Sequence, residues 1–120
     1  MYAKKVMEYF KNPKHVGTIK NADGVGEVGN MKCGDILKLY IKVKDNVIKE
    51  IKFETFGCVA AISSSEALCR IAKGKTVDEA LKLSNKDVIK KLGGDVPAVK
   101  VHCSFLAIDA LKKAIKNYKK

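Results

Sequence analysis

The chain has 120 residues, 47% of them apolar and 31% charged, proportions that exclude a disordered segment and fit a single domain spanning residues 1–120. No run of about 18 apolar residues occurs, which argues against a membrane span. The charged, amphipathic opening from Met1 to Phe10 lacks the features of a signal or transit peptide, so the expected compartment is the cytosol, cytoplasmic rather than secreted. The 24 basic and 13 acidic residues give a net charge of +11. Arg70 is the one arginine among them, which counts against base readout, and the lysines are spread along the chain. They describe a solvated surface that favours an anionic ligand or acidic partner, with no nucleic acid expected.

In chain order, Tyr2, Val6, Tyr9 and Phe10 recur at helical spacing and predict a short helix over 2–10, stopped by Asn12-Pro13. Residues 17–34 hold five of the nine glycines and read as loop plus a short strand near Gly24 to Asn30. From Asp35 to Lys44, Leu37, Leu39, Ile41 and Val43 alternate with Ile36, Lys38, Tyr40 and Lys42, the period of a half-buried strand. Asp45-Asn46 is a two-residue turn, and Val47 to Phe56 completes a hairpin.

The second half reads as helical. Residues 59–73 carry Ile62, Leu68, Ile71 and Ala72, and Gly74 ends the segment. Thr76-Val-Asp-Glu79 is a capping box; Ser84 to Asp87 opens another short helix closed by Gly93-Gly94; and Ser104 to Tyr118 has Leu106, Ala107, Ala110, Leu111, Ala114 and Ile115 on one stripe. The expected class is α+β: a three-stranded antiparallel sheet with helices packed on one face.

The four cysteines are Cys33, Cys58, Cys69 and Cys103. In a reducing compartment their even count points to metal binding or catalysis rather than to bridges. Cys33, Cys58 and Cys103 fall at element ends, and the latter two precede predicted helices, whose N-termini favour the thiolate. The spacings, 24 intervening residues and then 44, match no zinc finger, and no C-x-x-C occurs. Small buried thiols explain the spacing as well as a site does. The neighbours Asp35 and His102 tip the reading toward a site: three thiolates with an oxygen or nitrogen ligand suit zinc or a [2Fe–2S] cluster, held less firmly than by four cysteines. Cys69, inside the helix 59–73, reads as a packing residue. His15 reads as a solvated loop histidine, and Ser63-Ser64-Ser65 as close helix packing, with no nucleophile elbow around them.

Tyr2-Ala-Lys-Lys-Val-Met-Glu-Tyr-Phe-Lys-Asn-Pro-Lys-His-Val-Gly17 resembles the opening of the IscU-type iron–sulfur cluster assembly scaffolds, the family that includes the N-terminal domain of NifU. Val28-Gly-Asn-Met-Lys-Cys-Gly-Asp35, Thr55-Phe-Gly-Cys-Val-Ala-Ala-Ile-Ser-Ser-Ser65 and Val99-Lys-Val-His-Cys-Ser104 are similar to its three cysteine motifs. The resemblance covers essentially the whole chain. It implies a non-enzymatic scaffold in an IscU-like domain, with Cys33, Cys58 and Cys103 as cluster-ligating thiolates. Asp35 would be the carboxylate that keeps the cluster labile or an exchangeable ligand, His102 an alternative fourth ligand, and Cys103 the persulfide acceptor. The implied cofactors are iron and a [2Fe–2S] cluster, with zinc able to fill the same site.

The implied partners are a cysteine desulfurase, an iron donor or frataxin-like protein, and cluster carrier or apo acceptor proteins. Where chaperone-dependent members carry Leu-Pro-Pro-Val-Lys, this chain has Val96-Pro97-Ala98-Val99-Lys100, which leaves a chaperone pair open. The short connection from Ser84 to Val101 and the retained His102 make a zinc-dependent, SufU-like sulfur acceptor the alternative rather than the first reading. The further cluster domains of full-length NifU are not expected.

Overall fold

Alternation along residues 35–44 sets the sheet. A computed structural model describes residues 4–30, 35–56, 59–91 and 102–119. It contains helix α1 (Lys4–Lys11), strands β1 (Gly24–Asn30), β2 (Asp35–Lys44) and β3 (Val47–Phe56), and helices α2 (Val59–Ala72), α3 (Val77–Leu81), α4 (Asn85–Lys91) and α5 (His102–Lys119). The strands are antiparallel in the order β1-β2-β3. Asp45 and Asn46 both have positive φ, 54° and 65°, the backbone of the two-residue turn whose twist matches a hairpin. A register shift lies between Lys42 and Val43, just before the turn.

Leu37, Leu39 and Ile41 are buried, with Leu39 opposite Phe53 and Ile41 opposite Ile51. Each such side chain stabilises the fold by about 1.5–3 kcal/mol relative to exposure. The opposite face carries Lys38 across from Glu54 and Lys42 across from Glu50, a paired polar surface. Tyr40 is on that face yet only 6% exposed. Lys38 lies over its ring, and its hydroxyl donates to Glu54 at 2.5 Å. That bond, burial and the nearby carboxylates push its pKa up to about 12.

Helices α5 and α2 pack on the apolar face. All six stripe residues expected on α5 are buried. A Cβ added to Gly24 would lie 2.2 Å from the carbonyl oxygen of Ala114, and one on Gly26 would lie 2.1 Å from that of Ala110. These glycines therefore exist for helix contact. The expected loop followed by a strand at Gly24 to Asn30 is borne out, and the strand is an edge strand whose missing side chains let α5 settle on it. Polar groups of α5 also cover the outer border of β1: Val25 N–H donates to Asn117 Oδ1 at 3.1 Å, and Lys113 Nζ donates to the Glu27 carbonyl.

Helix α2 departs from the expected stripe. Leu68 and Ala72 are buried, but Ile62 and Ile71 are only half-buried, while Ala61, Ser63, Ser64, Ser65, Glu66, Ala67 and Cys69 are buried. The helix packs against α1, α4, α5 and β3, so small residues rather than large ones mark its contacts. Close packing of the three serines is borne out; Ser65 Oγ donates back to the Ala61 carbonyl. Gly74, at φ 89°, ends the segment, and Thr76 and Glu79 form the expected reciprocal cap of α3. The first helix begins at Lys4, with residues 2–3 outside the described residues. Tyr9 is buried, but Phe10 is 36% exposed and does not share its face, because adjacent helical positions are turned about 100° apart.

Candidate functional site

The end of β1, the start of β2, the end of β3 and the start of α5 lie at one end of the scaffold. Asn30 pairs with Asp35, and Ile36 pairs with Phe56. The connection 31–34 and the connection 57–58 therefore leave the same end of the sheet, from strands about 4.8 Å apart. Helix α5 runs antiparallel to β1, since Gly24 lies against Ala114 and Gly26 against Ala110. From Gly26 to Asn30 the strand advances about 13 Å. From Ala110 back to His102 the helix covers about 12 Å. The first turn of α5 thus comes level with the end of β1.

This end is where the sequence puts its candidate ligands. Cys33 and Cys58 lie outside the described residues. Asp35 opens β2, and His102 and Cys103 are the first two residues of α5; the positions of their side chains lie outside the described residues. Cys103 is thus within the helix rather than ahead of it, and Cys58 directly precedes α2 at Val59. Among the described residues, no group of three His, Cys, Asp or Glu side chains forms a metal cluster.

Cys69 stands apart. It is a free thiol, completely buried in α2. Burial, followed by the charge of Glu66, pushes its pKa well up. A thiol kept protonated and away from solvent is neither a nucleophile nor a ready ligand, so the packing reading holds.

His15 does not match its expectation as a solvated residue. Its side chain is 15% exposed, and Nδ1 lies 2.7 Å from Oε2 of Glu66. Glu66 is 0% exposed, the one buried charged side chain among the described residues. Its Oε1 accepts from the backbone N–H groups of Lys14 and His15, both at 2.8 Å. Its Oε2 also accepts from Nε of Arg70 at 2.7 Å. Arg70 covers the ring of Tyr9 at 4.1 Å and has its pKa raised by Glu66 against the opposing effect of burial. The available signal was Glu66 with Arg70 four positions on, inside an otherwise apolar helix. The loop partners are some fifty residues distant in sequence, beyond the reach of periodicity.

The sequence matches the NifU-like N terminal domain family over residues 1–120. The chain belongs to that family. It is 56% identical over 118 residues to a protein of Archaeoglobus fulgidus named iron–sulfur cluster assembly scaffold protein IscU 1, covering 98% of this chain and 76% of that one. It is 45% identical over 122 residues to the iron–sulfur cluster assembly scaffold protein IscU of Escherichia coli, covering 98% of this chain and 94% of that one. A solved structure from Fervidobacterium islandicum, described as an iron–sulfur cluster assembly scaffold for the SUF system, superposes with a TM-score of 0.79. It is 27% identical, over 95% of this chain and 96% of that one. Membership in the NifU-like family accounts for the three cysteine motifs, all within the matched span.

Proposed function

We propose that this chain is a cytoplasmic scaffold on which a labile [2Fe–2S] cluster is assembled and from which it passes to acceptor proteins. The observation that supports the reading is that the end of β1, the start of β2, the end of β3 and the first turn of α5 lie at one end of the sheet. Cys33 lies in sequence between β1 and β2, Cys58 between β3 and α2, and Cys103 in the first turn of α5. Two of the thiols belong to the starts of helices of 14 and 18 residues, where unpaired N–H groups and the positive dipole end favour a thiolate. Relatives named as cluster assembly scaffolds add support.

Iron and sulfide are cargo in this scheme. Cys33, Cys58 and Cys103 grip the iron ions, and Asp35 or His102 completes the set. An oxygen or imidazole ligand in place of a fourth thiolate binds cluster iron less firmly, which suits a cluster that must leave. The Cys103 thiolate attacks the outer sulfur of a cysteine desulfurase persulfide and releases the desulfurase thiolate. Ferrous iron from an iron donor, together with an external thiol or electron-transfer protein, supplies the electrons that reduce that sulfur to sulfide, and zinc occupies the same donors in the absence of iron. A cluster held by three thiolates and a carboxylate is net negative, and the lysine-rich surface offsets that charge.

Anaerobic reconstitution with iron, cysteine and a desulfurase tests the proposal. A visible [2Fe–2S] spectrum that transfers to an apo-ferredoxin is the expected result. Tight zinc and faster desulfurase turnover, with no cluster, would replace it by the sulfur-acceptor reading.

A further inference from the structure

Residues 14–17 are held from two sides. On one side the N–H groups of Lys14 and His15 converge on Oε1 of Glu66, as successive backbone donors do around an anion. On the other, Phe53 N–H donates to the His15 carbonyl and Gly17 N–H donates to the Phe53 carbonyl, both at 2.9 Å. Val16 and Phe53 form a parallel bridge. A four-residue segment therefore joins the outer border of β3 to the middle of α2.

Those two elements flank one short connection. Strand β3 ends at Phe56, three positions beyond Phe53, and α2 begins at Val59, seven positions before Glu66. Seven helical residues span about 10 Å. Segment 14–17 thus closes a triangle whose other sides are the last residues of β3 and the first two turns of α2. We propose that Glu66 and residues 14–17 form a strut that fixes the angle between β3 and α2, and thereby the reach of the connection carrying Cys58. Glu66 is a positioning residue. The strut itself rests on the hydrogen bonds above; its consequence for metal binding rests on the proposed ligand role of Cys58.

The chemistry of Glu66 suits this task and no simple packing role. Both backbone groups and Arg70 Nε are donors, and Nδ1 of His15 donates beside a carboxylate, so the position needs a side chain that only accepts. Glutamine has the same size, but turned one way its NH₂ meets the two backbone N–H donors, and turned the other way it meets Arg70 Nε and requires the other tautomer of His15. Glu66→Gln therefore loosens one end of the strut while conserving volume. Arg70, stacked on Tyr9, ties the same carboxylate to α1.

The test is per-cysteine alkylation of the metal-free protein by iodoacetamide, read by mass spectrometry, in wild type, Glu66→Gln, His15→Gln and Val77→Ala. Val77 is buried on α3 and supplies a destabilised control remote from the strut. In Glu66→Gln the labelling rate of Cys58 should change by at least about threefold, with Cys103 within about twofold of wild type. His15→Gln should shift Cys58 in the same direction and by less. A Cys58 rate within about 1.5-fold of wild type in a folded Glu66→Gln protein overturns the strut. So does a parallel change of both thiols like that of Val77→Ala. If Glu66→Gln does not fold, His15→Gln is held to a selective change in Cys58, and its absence is equally fatal. A separate anaerobic Co(II) titration of wild type reads thiolate ligation: its failure would remove the proposed function, while the alkylation rates would still decide the strut.

Discussion

Gly26→Ala asks whether a single methyl group can lift α5 from the sheet. The new Cβ would sit 2.1 Å from the Ala110 carbonyl oxygen and 2.6 Å from the Ala114 nitrogen. Both obstacles are backbone, so no rotamer change relieves them. The helix must retreat by about 1 Å, or β1 must bend by as much, to reach even 3.0 Å, the limit below which Cβ contacts essentially never fall; ordinary contact begins at 3.4 Å. A gap of that size forfeits a quarter to a half of each dispersion contact along the seam, on the order of 0.1 kcal/mol per atom pair. Overpacking costs 1–3 kcal/mol in general, and a backbone clash belongs at the upper end, about 3 kcal/mol.

For a chain of this length that corresponds to a fall in Tm of about 12 °C. The opposing gain from replacing a strand glycine, about 0.5–1 kcal/mol, does not cancel it. The assay is thermal and urea unfolding of the metal-free protein by far-UV circular dichroism, with the m-value checked for constancy. Gly74→Ala is the comparison: nothing lies within 4 Å of its Cβ, but φ is 89°, so it should lose about 1 kcal/mol from conformation alone. If Gly26→Ala melts within about 1 kcal/mol of wild type, or Gly74→Ala is the more damaging of the two, the close packing inferred for β1 is wrong.

The other predictions concern the caps and the thiols. The Glu79 carboxyl is held below its ordinary pKa by the Thr76 backbone N–H and hydroxyl, so its contribution is present at neutral pH and is lost as pH falls through that lowered value. Glu79→Gln should accordingly lower Tm at pH 7 and converge with wild type at acid pH; a constant difference in melts across that range would count against it. Cys69→Ala should cost about 1 kcal/mol in stability by leaving a small void and scarcely change cluster yield on reconstitution, whereas Cys58→Ala should abolish yield; equal yields from the two would reject the assignment. Asp35→Ala should keep its far-UV spectrum and lengthen the lifetime of the visible cluster in air, and a shorter lifetime would remove Asp35 from the role proposed for it.

What could be read from the sequence depended on whether the determining contacts were local. The β2–β3 hairpin was legible because alternation and the Asp45-Asn46 turn are properties of neighbours. The α5 stripe was legible because six residues repeat at helical spacing. The glycines of β1 were visible as glycines but not as a seat for a helix some ninety positions away, since an absent side chain gives no sign of what approaches it. Ile62 and Ile71 drew the α2 stripe toward the wrong face because size was weighed above spacing, and the helix buries its alanines and serines instead. His15 looked solvated for want of a sequence neighbour, and its partner Glu66 sat unremarked among apolar residues. For the candidate site, the motifs named the residues, while strand register and helix direction place the ends of the elements that flank them at one end of the sheet.

The side chains of Asn117 and Lys113 do more than fasten α5. They occupy main-chain groups of β1 that a foreign strand would otherwise seek. Were α5 to peel away, a raw ribbon would face other molecules of its own kind, so the same helix that begins with His102 and Cys103 also keeps the protein from sticking to itself.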